Sequence, residues 1–220
     1  MIKRKQRSSY RYGKVLSNST QLFRLDLYSR IKLEKLFRDK KILDVGCGYG
    51  IDSYNLLRYA RTVIGTDIKK HASWYSFTNR RLKFRQSKSE KLPFRRNSFD
   101  GVFLKDLLHH VDDPTTTLGE IRRVTRKGGV IIVIEGNRYN PLFLLYATVL
   151  NGHNHFSQKE FKKLIDTHFP KTRFEHLECY PPFFLNENSF RYVLKIEKML
   201  EKISFLKPFF SYNIAIVRNL

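Results

Sequence analysis

The chain has 220 residues, of which 41% are hydrophobic and 28% charged, a balance typical of a globular protein rather than a disordered one. Lysine and arginine number 42 against 20 acidic residues, and the net charge of +22 favours anionic partners such as nucleic acid, acidic lipid headgroups or phosphorylated substrates. A solvated basic surface without such a partner is the plain alternative. The 2 cysteines exclude a disulfide framework and indicate a reducing compartment.

The sequence shows no secretory signal and no membrane span. The N-terminus is basic but lacks the apolar segment of a signal peptide. The longest apolar run, PLFLLYATVL over residues 141–150, is well short of the roughly 20 residues that a membrane-spanning helix needs. These features predict a soluble, cytoplasmic protein, and the charge allows peripheral contact with an anionic membrane.

The chain begins with a basic arm followed by a helix. Residues 1–14 carry basic side chains and no acidic ones, which predicts a mobile arm. Polar residues from Ser17 to Thr20 offer helix caps, and apolar residues recur at helical spacing over residues 22–36. We take residues 1–39 as an arm and helix that precede the main core.

From residue 41 onward, short apolar strands alternate with helical segments. The helix that begins at Pro114 is predicted to end at the Gly128–Gly129 pair. Strands separated by helices predict a parallel sheet with helices on both faces, and this pattern covers residues 40–136. The predicted strands are residues 41–45, 62–67, 82–87, 99–106 and 130–136, and the predicted helices are residues 51–60, 68–81 and 114–129.

Residues 137–220 form a third segment with a looser pattern. Ser157 and Glu160 predict a capping box, followed by a strand, an amphipathic helix and a closing strand at 173–180, 188–203 and 211–219. Two apolar runs, at 141–150 and 181–184, accompany the basic helix, a combination that suits a lipid-type acceptor at an anionic membrane surface. The alternative is that both runs only close the core.

The segment KILDVGCGYGID, residues 41–52, carries the main functional signal. Gly46, Gly48 and Gly50 follow the first strand and precede a helix, so bare backbone and a helix N-terminus face a ligand. Asp67 ends the second strand about 20 residues later, where a carboxylate accepts hydrogen bonds from ribose hydroxyls. A tight structural turn would explain the glycines alone, but the two features together predict a nucleoside site.

The glycine spacing and the preceding acid indicate which nucleoside is bound. A dinucleotide site has the spacing G-x-G-x-x-G, whereas this loop has G-x-G-x-G. Asp44, just before the glycines, would repel a pyrophosphate but suits a cationic amine or sulfonium. S-adenosylmethionine joins an adenosine to a sulfonium and an amino-acid tail, and it is the cofactor that we predict.

Consecutive motifs then resemble those of the class I S-adenosylmethionine-dependent methyltransferases. They are ILDVGCGYG, GTDI, EKLPFRRNSFDGVFLKDLLHHV and EIRRVTRKGGVIIVIE, over about residues 40–136. The subgroup with L-P-F, S-F-D and H-H-V motifs includes methyltransferases for quinone precursors and lipid-linked sugars. The resemblance implies an α/β, Rossmann-like, seven-stranded and mostly parallel sheet with an antiparallel last strand. It also implies a cofactor at the carboxyl ends of the first strands.

The resemblance assigns roles to residues of the cofactor site. The loop residues hold the methionine part, with a small cysteine as filler, while the end of the second strand contacts ribose and adenine. The residues that match these roles are Asp44, Gly46, Cys47, Gly48 and Gly50 for the methionine part, Asp67 for the ribose and Ile68 for adenine.

One position departs from the subgroup pattern. An aspartate usually lies four residues before the leucine of L-P-F and accepts from the adenine amino group, but Lys88 stands there and cannot accept a hydrogen bond. The contact then has to come from backbone near Ser89 or from Glu90. Lys105 occupies the usual place of a small or polar residue that lines the cofactor pocket. The departure at Lys88 motivates one alternative, a methyltransferase-like protein that binds a partner without catalysis.

The catalytic candidates follow the fourth strand. His109 and His110 match positions that face the methyl group, and a histidine there can act as a general base because its pKa is near neutrality. Of the two, His110 is favoured as the inward residue, and a packing or helix-capping role is the alternative. His153 and His155 are expected in a lid over the acceptor, without enough further ligands for a metal site.

We therefore predict an S-adenosylmethionine-dependent methyltransferase for a small-molecule acceptor of lipid or glycolipid type. The alternative enzyme is an RNA methyltransferase, favoured by the net charge of +22 and by tRNA-modifying enzymes that share the motifs. No RNA-binding module is recognisable in the sequence to support it.

Overall fold

The computed structural model describes residues 19–145, 154–178 and 190–220. Several predictions lie outside these residues. They concern the basic arm, the caps at Ser17 and Asn18, most of the apolar run at 141–150, His153, and the PPFF segment at 181–184.

A single seven-stranded sheet organises the fold, in the order β3-β2-β1-β4-β5-β7-β6. The pairs from β3 to β5 are parallel, and β7 runs antiparallel to both of its neighbours, β5 and β6. The predicted α/β sheet with an antiparallel last strand is confirmed. The strands are β1 (Lys41–Val45), β2 (Thr62–Asp67), β3 (Leu82–Gln86), β4 (Phe99–Lys105), β5 (Thr125–Gly136), β6 (Thr172–Leu177) and β7 (Tyr212–Arg218).

Helices cover both faces of this sheet. None of those in the described ranges has the length and apolar composition that crossing a bilayer requires. The α-helices are α1 (Ser19–Arg30), α2 (Leu33–Phe37), α3 (Ile51–Leu56), α4 (Pro114–Val124), α5 (Pro141–Phe143), α6 (Gln158–His168) and α7 (Phe190–Leu200). Short 3₁₀ turns span Ala72–Ser76, Leu108–His110 and Ser204–Phe209.

The core has two layers because successive strand residues point to opposite faces of the sheet. Ile42 faces a cluster built with α1, α2 and α3, whereas its neighbour Leu43 faces a second cluster built with α4 and α6. Helix α6 begins with the predicted capping box, in which Ser157 Oγ accepts from the Glu160 amide at 3.2 Å and Glu160 Oε2 accepts from the Ser157 amide at 2.8 Å.

Tertiary contacts override the sequence pattern in the first helical segment. The predicted single helix is broken at Lys32, which adopts a left-handed conformation with φ 60°. Ile31 and Leu33 are both fully buried. Residues two apart on one helix point in different directions, so a turn between them is needed for both to reach the core.

The segment between β2 and β3 also departs from prediction, because residues 68–81 form only the 3₁₀ turn Ala72–Ser76 instead of a helix. Its aromatic residue Trp74 stacks on Phe84 of β3 at 5.0 Å between ring centres. That contact takes the place of helical packing.

The helix predicted over 114–129 ends five residues early, at Val124. The Thr125 hydroxyl donates to the Ile121 carbonyl at 2.6 Å, and β5 begins at that residue. Gly128 has φ +73° and its amide donates to the Asn219 carbonyl at 2.6 Å. The glycine pair therefore lies at an irregularity of β5, where its register with β4 shifts between Phe99 and Gly101, and does not end the helix.

Candidate active site

A cavity of about 570 Å³ opens at the carboxyl ends of β1, β2 and β4. A smaller cavity of about 190 Å³ lies beside it and shares part of the glycine loop. The predicted site residues that line the larger cavity are Gly46, Gly48, Asp67, Ile68, Lys88, Ser89, Glu90 and His110. Those that line the smaller one are Gly46, Cys47, Gly48 and Lys105. Asp44, Gly50 and His109 line neither cavity.

Glycine is needed at different positions of the loop for different physical reasons. Gly48 has φ +49° and a β-carbon there would meet nothing within 4 Å, so its backbone is open to a ligand. Gly50 has φ +83°, and a β-carbon there would lie 2.6 Å from the Phe84 ring. Gly50 is therefore required by packing against β3, not by direct contact with the cavity.

The 3₁₀ turn Ala72–Ser76 fixes the outer side of the glycine loop. The indole Nε1 of Trp74 donates to the Gly48 carbonyl at 2.7 Å, and the Ser73 hydroxyl donates to the Tyr49 carbonyl at 2.8 Å. Nothing in the sequence indicated these bonds to the loop.

Asp67 joins the end of β2 to the same loop. Its Oδ2 accepts from the Gly48 amide at 2.8 Å and its Oδ1 accepts from the Lys69 amide at 2.9 Å. An ionised carboxylate offers about four acceptor positions, so these two bonds leave capacity for ribose hydroxyls. Asp67, the residue predicted to bind the ribose, thus lies in the wall of the larger cavity.

Asp44 is placed differently from the prediction, which had it beside the cationic part of the cofactor. It is buried beneath the loop and accepts from the Ser53 hydroxyl at 2.5 Å. Burial raises the pKa of Asp44 to about 8, the charges of Asp52 and Asp67 add to this, and the Ser53 bond opposes it. A carboxyl that is largely neutral at pH 7 holds the start of α3 but supplies little negative charge.

The smaller cavity brings two cations and two carboxylates together. The Lys105 ammonium is bonded to the Asp106 carboxylate, and Arg24 Nε lies 3.1 Å from Asp52 Oδ1. Burial disfavours the Lys105 cation, but Asp106 and the Tyr212 hydroxyl outweigh it and the pKa of Lys105 is raised. The alternating charges fit a zwitterionic amino-acid tail such as that of S-adenosylmethionine.

The side of the cavity where adenine is expected contains Lys88, which stands where the subgroup has an aspartate. Lys88, Ser89 and Glu90 all line the larger cavity. The Ser89 hydroxyl donates to Glu90 Oε2 at 3.0 Å and lies 3.2 Å from the Thr117 hydroxyl. Glu90 therefore supplies, at the cavity wall, the acceptor chemistry that Lys88 lacks.

The two adjacent histidines have different surroundings, and the preference for His110 as the inward residue stays a prediction. His110 is exposed and lines the larger cavity, whereas the His109 side chain is buried, with Nδ1 2.6 Å from Glu135 Oε2. Burial favours neutral His109, but the bond and the charge of Glu135 outweigh it, so the pKa of His109 is raised. The His109 ring also lies 4.3 Å from the His155 ring, centre to centre.

Sequence reasoning missed Glu135. This carboxylate is fully buried, and its Oε1 accepts from the amides of Leu107 at 2.9 Å and Leu108 at 2.6 Å. The feature that could have identified Glu135 is its position as a single acidic residue near the end of the apolar strand VIIVIEG. Because buried acids are rare unless they are bonded, that position pointed to a partner nearby.

Among the described residues, no group of three or more histidine, cysteine, aspartate or glutamate side chains could hold a metal ion. The expected absence of a metal stays a prediction.

The raised pKa of Asp44 gives a testable dependence of stability on pH. The native carboxyl keeps a proton that the unfolded chain loses near the ordinary value of 3.8, so stability falls as pH rises from there to about 8. We expect wild type to lose stability relative to Asp44→Asn by up to about 1.4 kcal/mol per pH unit. Urea unfolding between about pH 5 and pH 8 measures this. The control Asp166→Asn, at a carboxylate of α6, should parallel wild type, and a parallel Asp44→Asn curve would contradict the prediction.

Comparison with known proteins is consistent with this geometry. The family described as a methyltransferase domain matches residues 43–133. The ubiquinone biosynthesis O-methyltransferase of Cereibacter sphaeroides is 32% identical over 121 residues, covering 51% of this chain and 47% of that protein. The fatty-acid O-methyltransferase of Mycolicibacterium smegmatis is 30% identical over 136 residues, covering 58% of this chain and 50% of that protein. The chain thus spans about half the length of the curated relatives it matches.

A solved structure with a similar fold is a SAM-dependent methyltransferase of Thermotoga maritima. It has a TM-score of 0.62 at 17% identity, covering 89% of this chain and 96% of that chain, a likeness that shows the fold alone. The family match rests on the segment that contains the glycine loop, Asp67 and the H-H-V motif. Residues 43–133 therefore match the family described as a methyltransferase domain.

Proposed function

We propose that the protein transfers a methyl group from S-adenosylmethionine to an oxygen atom of a small acceptor that carries a lipid-type, apolar part. The observation that carries this proposal is the cavity at the carboxyl edge of the sheet, where open backbone at Gly48 meets the Asp67 carboxylate. When bound, S-adenosylmethionine would supply a methyl group that the acceptor oxygen attacks in line, with the thioether as the leaving group. Glu90 would hold the adenine, and Lys105 and Arg24 would hold the amino-acid tail.

In this proposal His109 removes the proton from an acceptor hydroxyl. The Glu135 carboxylate can only accept, so it fixes the His109 proton on Nδ1 and leaves Nε2 as the basic nitrogen. The hydroxyl proton would pass to Nε2 as the oxygen–methyl bond forms and the methyl–sulfur bond breaks. Glu135 stabilises the resulting imidazolium and thus acts as a positioning residue.

The apolar part of the acceptor is supported by a surface that we call the interfacial face. On α7, Tyr192, Ile196 and Met199 are exposed at spacings of four and three residues, so they share one side of the helix. Phe205 and Phe209, in the turn that follows, are 74% and 48% exposed. Exposed apolar side chains in line with a helix are typical of a membrane-surface contact.

Lysines flank these apolar side chains. Lys195, Lys198, Lys202 and Lys207 are exposed, whereas Glu197 of the same helix is buried on the opposite side. Positive charge beside exposed apolar groups suits an anionic lipid surface.

The interfacial face is joined to the edge of the sheet that carries the cofactor cavity. Asn137 and Asn140, directly after β5, donate to the carbonyls of Pro208 and Phe209, each at 2.8 Å. An acceptor drawn from a membrane would therefore approach the correct edge. Two relatives, named for ubiquinone biosynthesis and for fatty-acid O-methylation, support an acceptor with an apolar part.

Cofactor binding is the first test. We expect wild type to bind S-adenosylmethionine and its demethylated product, and Asp67→Asn to bind both at least about tenfold more weakly, because a hydrogen bond to a charged group contributes about 1.5–3 kcal/mol. Calorimetry measures both affinities, with Asp166→Asn as the control at a carboxylate outside the cavity. If wild type binds neither compound, the protein is instead a non-catalytic member of the fold.

The role of His109 predicts a difference between acceptors. We expect His109→Asn to slow methyl transfer to a prenylated catechol by about 10²–10⁴, because it removes the base, and to leave transfer to a fatty-acid carboxylate nearly unchanged. Radiolabelled cofactor measures both rates, with His168→Asn as the control. Equal losses on both acceptors would mean that His109 is structural.

The class of acceptor has its own test, in which radiolabelled cofactor is added to a cell extract. Label that partitions with RNA rather than with organic solvent would favour the RNA acceptor.

The interfacial face predicts binding to anionic vesicles. Each lysine near such a surface contributes about 1 kcal/mol, so Lys195→Gln/Lys198→Gln should lower the vesicle partition coefficient about 30-fold. Flotation with phosphatidylglycerol-containing vesicles measures this. Lys35→Gln/Lys171→Gln carries the same change in charge at the opposite edge of the sheet and should float nearly as wild type does. Equal losses in both variants would contradict a defined lipid-binding face.

A further inference from the structure

A second concave site, which we call the basic groove, lies away from the cofactor cavity. It encloses about 390 Å³ over an apolar floor that includes Val130 and Ile216. The turn between α1 and α2, the start of β6 and the end of β7 contribute the cations around it. These cations are Lys32, Lys35, Lys171, Arg173 and Arg218.

The strand register places the basic groove at the amino-terminal edge of the parallel strands. Val130 pairs with Gly101 of β4, which in turn pairs with Ile42 at the beginning of β1. Arg218 ends β7, which runs in the opposite direction and therefore finishes at the same edge. The cofactor cavity, at the carboxyl ends of β1 and β2, lies at the opposite edge of the sheet, one strand length away.

The charge of the basic groove is almost uncompensated. No carboxylate lines it, and of its cations only Arg173 makes an ion pair within the described ranges, with Glu175 at 3.0 Å. Nearby, the pKa of Lys40 is lowered by burial and then by the charge of Arg218. Cations held together in this way repel one another, and an anion that entered the groove would relieve that repulsion.

The backbone conformation of Lys32 is unfavourable, and it fixes the position of this cation. Lys32 has φ 60° and ψ 42°, a left-handed conformation that is unfavourable for a residue with a side chain. The burial of its two neighbours in the core imposes that conformation and leaves the lysine side chain at the rim of the groove.

We propose that the basic groove binds the phosphodiester backbone of a nucleic-acid strand without reading its base sequence. A chain of phosphates matches a row of cations in a concave site, where each phosphate replaces repulsion with an ion pair. Among the described residues, no aromatic side chain lines the groove, so these residues offer no surface on which bases could stack. A bilayer fits this site poorly, because none of the exposed large apolar side chains of the described residues lines it.

A strand held in the basic groove lies at the edge of the sheet opposite the methyl-transfer cavity. It is therefore a tethering partner and not the methyl acceptor. This inference is independent of the proposed function, and its test needs neither cofactor nor acceptor.

Salt dependence of binding tests the proposal with numbers. Each phosphate contact of a single strand contributes about 0.7 to the slope of log affinity against log salt concentration. Lys35→Gln/Lys171→Gln should therefore lower that slope by about 1.4. Fluorescence anisotropy of a labelled, mixed-sequence oligoribonucleotide over a series of sodium chloride concentrations measures it. The control Lys195→Gln/Lys198→Gln, with the same change in charge on the interfacial face, should keep the wild-type slope.

Three outcomes would overturn the proposal. They are the absence of binding by wild type, equal reductions of the slope in both double variants, and saturation by inorganic tripolyphosphate without binding of the oligonucleotide. The last result would assign the groove to a small oligophosphate. Thermal unfolding of both variants checks that they fold, and the basic arm contributes equally to each because neither variant changes it.

Discussion

The hydrogen bond from the Gly48 amide to the Asp67 carboxylate is the constraint on which the candidate site depends. It joins the ends of two adjacent strands and sets the distance between the open backbone and the carboxylate. Trp74 restrains the same residue from its carbonyl side. Because both groups of Gly48 are held, the loop keeps its shape without a ligand, and little conformational entropy would be lost when one binds.

Much of the fold and of the cofactor side could be predicted from the sequence. The strands have continuous apolar runs, and the glycine loop and Asp67 stand at fixed positions relative to strand ends. Such signals are local, and the sheet brings them together because carboxyl ends of parallel strands meet at one edge. The capping box at Ser157 is local in the same way, since both of its partners lie within one turn.

The remaining features depend on contacts that sequence spacing does not encode. Nothing local shows that Asp44 is buried and bonded to Ser53, or that the His109 side chain is buried and bonded to Glu135. Helix α4 ends early for a similar reason, because Thr125, directly after it, pairs with Phe99 of β4, and Val130–Gly136 pair with β7 from the far end of the chain. Wherever burial or long-range pairing decided the outcome, the local pattern was insufficient.

The packing of Gly50 against Phe84 connects the methionine end of the pocket to its adenosine end through a chain of contacts. Any side chain at position 50 would push the Phe84 ring, and with it the stacked Trp74 indole, whose bond fixes the loop carbonyl. A change that touches no ligand could thus loosen the methionine end and the adenosine end together. The loop is therefore constrained by an aromatic stack on the side away from the cavity, in addition to any constraint from the side that faces a substrate.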